Sequence, residues 1–330
     1  MSNQLQTIHE RKALGIDLDH QSMMLFTGSC FAENIGAKLK QFKFNAEINP
    51  LGISYNPLSL FNLLERSIEG ENFKASELHF ENERYFSFDL HSSFSDPKVD
   101  RLIKQANLQL DVQTKYLAEA DALFITMGTA WVHVFKKEKQ LVNNCHKLPA
   151  KLFSKTLLSV NDITAAWDGL AKKIKARNPM IRIIFTVSPV RHLKDGFREN
   201  QLSKSTLHLA VEEICNKHKN CFYFPSYEIM MDELRDYRFY DRDLVHPNGL
   251  GIDIIWEYFQ KACLSNDCSL RLEELNKLLL SVAHRPFNVQ SNAHQKFLKK
   301  LNTDLQEFAQ KHRIDLQSEM TEVKSKLIDG

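Results

Sequence analysis

Four short apolar runs, separated by stretches of helical period, limit what this chain can become: Met23 to Thr27, Ala122 to Met127, Ile181 to Pro189 and Cys221 to Pro225. Runs of this length, rich in β-branched or aromatic residues and closed by Gly, Pro or Ser, suit strands that are covered on both faces. Between them apolar positions recur every three or four residues. Phe31, Ile35, Leu39 and Phe42 form one stripe; Ile163, Ala166, Trp167, Leu170 and Ile174 a second; Leu207, Ala210, Val211 and Ile214 a third. The alternation predicts an α/β fold, a three-layer sandwich around a mostly parallel central sheet. In such folds ligands bind where strands end and helices begin.

Two segments depart from this rhythm. Leu78 to Phe94 alternates polar and apolar residues about Glu81-Asn82-Glu83, and Trp131 to Val142 does so about Lys136 to Lys139, which predicts two inserted β-hairpins that either decorate the fold or wall a pocket. Asp96-Pro97 reads as the start of a helix, with Asp96 as N-cap and Pro97 at the first helical position. From Phe297 onward, Leu301, Leu305, Phe308, Leu316, Met320, Val323 and Leu327 keep a helical period, interrupted at His312, in a heavily charged setting. One long amphipathic helix is expected, either packed back on its own domain or offered to a second copy or another partner. The expected organisation is an α/β domain over 1–288 followed by this helix over 289–330.

Composition removes several classes. The 43 Lys+Arg and 41 Asp+Glu residues nearly cancel and are interleaved, which argues against a nucleic-acid surface. A hydrophobic content of 43% supports a large core and excludes general disorder. No window approaches the roughly 20 apolar residues that span a bilayer. The first twenty residues carry charges throughout without the apolar core of an export signal, so the expected compartment is the cytoplasm. Six scattered cysteines in a chain of this size do not read as a disulfide framework. His146 beside Cys145 invites a metal reading, yet no Cys-x-x-Cys, His-Glu-x-x-His or EF-hand spacing occurs. Dinucleotide and Gly-Lys-Ser/Thr phosphate fingerprints are missing too, so neither a metal nor a cofactor is expected.

Two constellations carry chemistry. The first run ends in Gly28-Ser29-Cys30 where a helix begins, placing a hydroxyl and a thiol at a helix N-terminus. Free N–H groups and the helix dipole there stabilise negative charge and can lower a thiol pKa. Either side chain suits a nucleophile; the structural alternative is a Ser29 cap beside a small buried Cys30. Far downstream, Asp243 and His246 lie three apart. In a turn the carboxylate accepts from one imidazole nitrogen while the other faces a pocket, the relation of orienter to general base. Pro247 keeps His246 out of a helix, and Asn248 is placed to cap the helix running through Ile252, Ile255 and Phe259. His192, beside Arg191 after the third run, sits where a substrate would lie.

These pieces fall among further ordered matches: Gly28 to Asn34, Asn49 to Ile53 with Tyr55-Asn56-Pro57, Met127 to Ala130, Asn144 to Lys147, Thr186 to His192, and Asp243 to Pro247. In these the chain, up to about Phe259, resembles the GSCFA-domain family, a branch related to the SGNH or GDSL hydrolases. The resemblance implies an acyl-transfer site with Ser29 or Cys30 as nucleophile, His246 as base and Asp243 as its orienter. A gapless overlay of Gly-Asp-Ser on Gly28-Ser29-Cys30 favours Cys30. In the parent superfamily the nucleophile's N–H, a glycine and an asparagine form the oxyanion hole. Gly52 stands for the glycine here. The third block reads Gly128-Thr129-Ala130-Trp131 without an asparagine, which leaves Gly128, Thr129 or Asn144 as substitute donors; loss of one such donor costs roughly 3 kcal/mol. The expected function is an ester hydrolase or acyltransferase acting on a small, for example carbohydrate, substrate. Its rival is a non-catalytic binding module on the same fold, with the C-terminal helix as partner surface.

Overall fold

The computed structural model describes residues 7–328. Its centre is a five-stranded parallel sheet of β1 (Met24–Gly28), β2 (Ala46–Ile48), β6 (Ala122–Met127), β10 (Arg182–Val187) and β11 (Cys221–Tyr223), in the order β11-β10-β6-β1-β2. The four expected runs are all strands of this sheet. The fifth strand, β2, spans only three residues and is too short to show a period.

Helices cover both faces, and the pleat of the strands divides the core between them. Met24, Phe26, Phe124 and Ile184 face α1 (Cys30–Gln41) and α7 (Gly249–Cys263). Leu25, Leu123, Ile125, Ile183 and Phe185 face α2 (Pro57–Glu69), α4 (Val160–Arg177) and α5 (Phe197–Lys217), with Trp167 fully buried among them. The long helix α3 (Val99–Glu119) reaches this layer through Leu117. Asn248 caps α7 as expected, its side chain accepting from the Gly251 N–H at 3.1 Å.

Both predicted hairpins form, and each gains a third strand. In the first, β3 (His79–Glu81) and β4 (Arg84–Phe86) pair around Asn82 and Glu83, both at positive φ, and β5 (Ser95–Asp96) adds to β4. In the second, β7 (Trp131–Phe135) lies between β8 (Gln140–Val142) and β9 (Phe153–Leu157). The expected helix start at Asp96-Pro97 is corrected: Asp96 pairs with Tyr85 as part of β5, and α3 begins at Val99. Asp96 still accepts from the Lys98 N–H at 2.7 Å, but as a turn before the helix rather than its cap.

The single C-terminal helix is also corrected. After α8 (Asn266–Val282) come two helices, α9 (Asn292–His312) and α10 (Gln317–Ser325), because Arg313 adopts the left-handed conformation and ends the first. The apolar stripe is not free. Leu301, Leu305, Phe308, Leu316 and Val323 are buried in the same cluster as the inner faces of α1 and α7. No helix among the described residues is long and apolar enough to cross a membrane.

Leu305 is fully buried in that shared core, so Leu305→Ala should cost about 3 kcal/mol. Urea denaturation checks this; a loss confined to a small pre-transition, with the main midpoint unmoved, would mean that the C-terminal helices unfold separately.

Candidate active site

In the strand order, β1 pairs with β2 on one side and β6 on the other, and the chain's progression across the sheet reverses between β1 and β6. A crevice opens at the carboxyl ends of strands at such a reversal. Gly28 closes β1 opposite Thr126 of β6 with φ +131°, and a Cβ there would overlap the Thr126 carbonyl. Only glycine makes this exit. Ser29 N–H then donates to Thr126 O at 2.9 Å, the Ser29 hydroxyl accepts from the Phe31 N–H, and α1 starts at Cys30.

These steps separate the two nucleophile candidates. Ser29 is buried, 1% exposed, as the helix cap. Cys30 is partly exposed, and its Sγ lies 3.7 Å from His246 Nε2. The structure thus brings the sulfur, not the hydroxyl, to the imidazole. On the other side of the ring, His246 Nδ1 meets Asp243 Oδ2 at 2.6 Å. Asp243 Oδ1 accepts from the N–H groups of Val245 (2.9 Å) and His246 (3.0 Å). Those bonds, followed by the imidazole's, hold the Asp243 carboxyl down to about 2. The turn itself is closed by Asp241 N–H to His246 O at 2.8 Å and carries Leu244 at φ 60°, a left-handed conformation uncommon for a residue other than glycine.

The expected acidification of the thiol is not what the surroundings produce. Burial raises the Cys30 thiol, and Glu33, one turn into α1, raises it further; the backbone N–H groups of Cys30 and Phe31 pull the other way and lose. Free thiolate is therefore scarce near neutrality. Sulfur chemistry here depends on a base within reach, and His246 is that base by position.

The remaining expected residues divide. His192 stands at the site: its Nε2 would touch a Cβ on Gly128, its ring meets Tyr55 edge-on at 5.5 Å between centroids, and it feels the charge of His246. Gly128 is glycine because His192 and Tyr55 occupy the space a side chain would need. Burial, helped by Lys204, lowers His192 to about 4, so it is a neutral imidazole at physiological pH. Gly52, Gly128 and Thr129 have partners inside the fold. Gly52 N–H donates to Asn49 O (2.8 Å), Gly128 N–H to Tyr55 O (2.8 Å), and Thr129 Oγ1 lies 3.0 Å from Ser203 Oγ while accepting from the Trp131 N–H. Asn144 accepts from the His146 N–H at 2.8 Å, within the loop after β8. The N–H of Cys30, at the first position of α1, has no intrahelical partner and faces its own sulfur.

Lys204 is a buried neighbour of these residues that the sequence reading did not single out. It lies on the inner face of α5, fully buried, with Nζ donating to the carbonyls of Gly128 and Ser188, both at 2.7 Å. Its signal was its spacing, three and seven residues before Leu207 and Val211 on the buried stripe. No group of three or more His, Cys, Asp or Glu side chains suited to a metal ion occurs among the described residues.

Fold and site together define an α/β sandwich that carries a hydrogen-bonded cysteine, histidine and aspartate chain at its topological reversal. The chain belongs to the GSCFA family: the family model matches residues 23–259, and a second model, the C-terminal domain of GSCFA domain proteins, matches 275–329. No curated protein matches. The structure is similar to a crystal structure from Bacteroides fragilis described as a "putative acylhydrolase", with a TM-score of 0.36 and 10% identity over 81% of this chain and 92% of that one.

The buried, neutral His192 has a stability consequence. Its folded pKa lies below the unfolded value near 6.5, so the unfolded chain binds the extra proton as pH falls from about 6.5 to about 4, and stability declines across that window. His20, also lowered to about 4, adds a decline of the same sign. Urea midpoints at pH 7 and pH 5 should show a smaller drop for His192→Gln than for the native protein.

Proposed function

We propose that the protein is a hydrolase or acyltransferase that passes an acyl group from an ester through Cys30. The observation that carries this reading is the consecutive Cys30 Sγ, His246 and Asp243 contacts, 3.7 Å and 2.6 Å in their two links. The Cys30 sulfur attacks the ester carbonyl as its proton moves to His246 Nε2, and Asp243 holds the other ring nitrogen and balances the imidazolium. The oxyanion of the tetrahedral adduct faces the Cys30 N–H at the start of α1. Collapse breaks the ester C–O bond; the leaving alkoxide takes the proton from His246, leaving a thioester on Cys30. Water or an acceptor hydroxyl, deprotonated by His246, then attacks the thioester, and the thiol recovers its proton. The substrate class is a small acylated molecule such as an acylated carbohydrate, with neutral His192 binding a hydroxyl or carbonyl beside the reacting bond.

The internal partners of Gly52, Gly128 and Thr129 support a second reading, a binding module without turnover, since the oxyanion donors that the superfamily supplies are engaged here. One experiment separates the two. With activated and acetylated esters as substrates, Cys30→Ala and His246→Ala should each reduce kcat/KM by at least about 10³-fold, and Asp243→Asn by a comparable factor. Ser29→Ala should leave turnover within about tenfold while costing about 1 kcal/mol through the lost cap. Absence of turnover in the native protein, together with iodoacetamide labelling of Cys30 that ignores His246→Ala, would favour the binding module.

A further inference from the structure

The N–H groups of Gly128 and Thr129 are both taken by one acceptor, the Tyr55 carbonyl, at 2.8 Å and 3.0 Å. The residue before it, Ser54, donates its N–H to Gly28 O at 3.0 Å, while the Ser29 N–H donates to Thr126 O at 2.9 Å. These backbone links join the loop between β2 and α2 to the ends of β1 and β6, and they fix Tyr55 between those ends, beside the turn that starts α1 at Cys30. The side chain is held as closely. Its Cδ1 lies 3.3 Å from where a Cβ on Gly128 would stand, and its ring meets His192 edge-on at 5.5 Å between centroids. The Tyr55 hydroxyl has no hydrogen-bond partner among the described residues, and on a half-buried side chain it is not sealed from solvent. Two neighbours in the same loop contrast with it: Asn49 Nδ2 and Ser54 Oγ also lack partners but lie buried, on side chains of residues 8% and 1% exposed.

We propose that Tyr55 is a catalytic residue of this site: its hydroxyl donates a hydrogen bond to the oxyanion of the tetrahedral adduct, a second donor beside the Cys30 N–H. The inference rests on the reading of Cys30 as nucleophile. As the sulfur bonds to the ester carbon and its proton passes to His246, the carbonyl π pair moves onto oxygen, and the Tyr55 O–H donates to that oxygen without giving up its proton. When the pair returns and the ester C–O bond breaks, the hydrogen bond weakens again. A donor of this kind favours the transition state over the bound ester. Burial raises the Tyr55 phenol above its usual value, and the charges of Cys30 and then Glu33 raise it further, so the hydroxyl keeps its proton through neutral pH. The residue that engages the backbone donors past β6 thus offers a side-chain donor in their stead.

The test is Tyr55→Phe in the full chain, with p-nitrophenyl acetate as substrate. The ring keeps its contacts with Gly128 and His192 and no hydrogen bond within the fold is lost, so the urea midpoint should not move. Removal of one oxyanion donor should lower kcat/KM by about 10²-fold. Alkylation of Cys30 by iodoacetamide, a displacement that builds no oxyanion, should keep its native rate. A kcat/KM within about threefold of native overturns the inference. So does slowed alkylation, which would put the effect of the hydroxyl on the sulfur, and so does a lowered midpoint, which would make it a structural group. In each of these cases turnover that still requires Cys30 and His246 leaves the nucleophile reading standing. Native protein that turns over no ester, or a Cys30→Ala protein that turns it over unimpaired, fails the nucleophile reading and the role of Tyr55 with it.

Discussion

The Thr126 carbonyl occupies the place where a side chain on Gly28 would stand, and the geometry of the site descends from that close approach. Because β1 and β6 run parallel with Gly28 opposite Thr126, the chain can leave β1 only through the left-handed region. Ser29 is then spent as donor to Thr126 and as cap for α1, and Cys30 becomes the first helical residue, with its sulfur beside His246. The opposite wall is anchored as firmly. The short turn from Asp241 to His246 delivers the imidazole from the start of α7, whose inner face packs on α1 in one buried cluster. Sulfur and imidazole thus come from the first residue of one helix and the turn before another in the same layer, aligned by a common core.

Electrostatics at this crevice runs against the simplest expectation for a thiol at a helix terminus. Desolvation outweighs the dipole, and Glu33 adds to it, so the sulfur is held as a thiol rather than a standing thiolate. Such a site suits chemistry in which the proton is removed during attack. Asp243, lowered to about 2 and so ionised at neutral pH, lies against the other ring nitrogen at 2.6 Å, the place of an orienter. A neutral His192 beside Gly128 gives the site a polar wall without adding a charge that would repel an imidazolium.

Four of the five sheet strands, three helices, both hairpins and the Asp243 to His246 turn were legible in the sequence because each rests on local period or local chemistry. The features that escaped depend on distant partners. β2 is three residues long and is a strand only because β1 lies beside it. Asp96-Pro97 carries a helix-start pattern, yet pairing with Tyr85 draws it into a sheet. Arg313 breaks the C-terminal stripe at a residue type that ordinarily continues a helix, and no glycine marks the stop. What separates Ser29 from Cys30 is that the hydroxyl is taken up capping α1 while the sulfur lies near an imidazole 216 residues away, which local sequence does not encode. Lys204 drew no reading from the sequence; its burial follows from two strand ends that meet it only in the fold.

On the proposed reading Cys30 carries the acyl group with His246 as its proton acceptor. Rapid acid quench of the native protein during exposure to an activated acyl ester, followed by peptide mass spectrometry, tests it most directly. The expected result is a transient thioester on Cys30 that fails to accumulate in His246→Ala. Acylation found on Ser29, or an adduct on Cys30 that forms equally fast without His246, would contradict it.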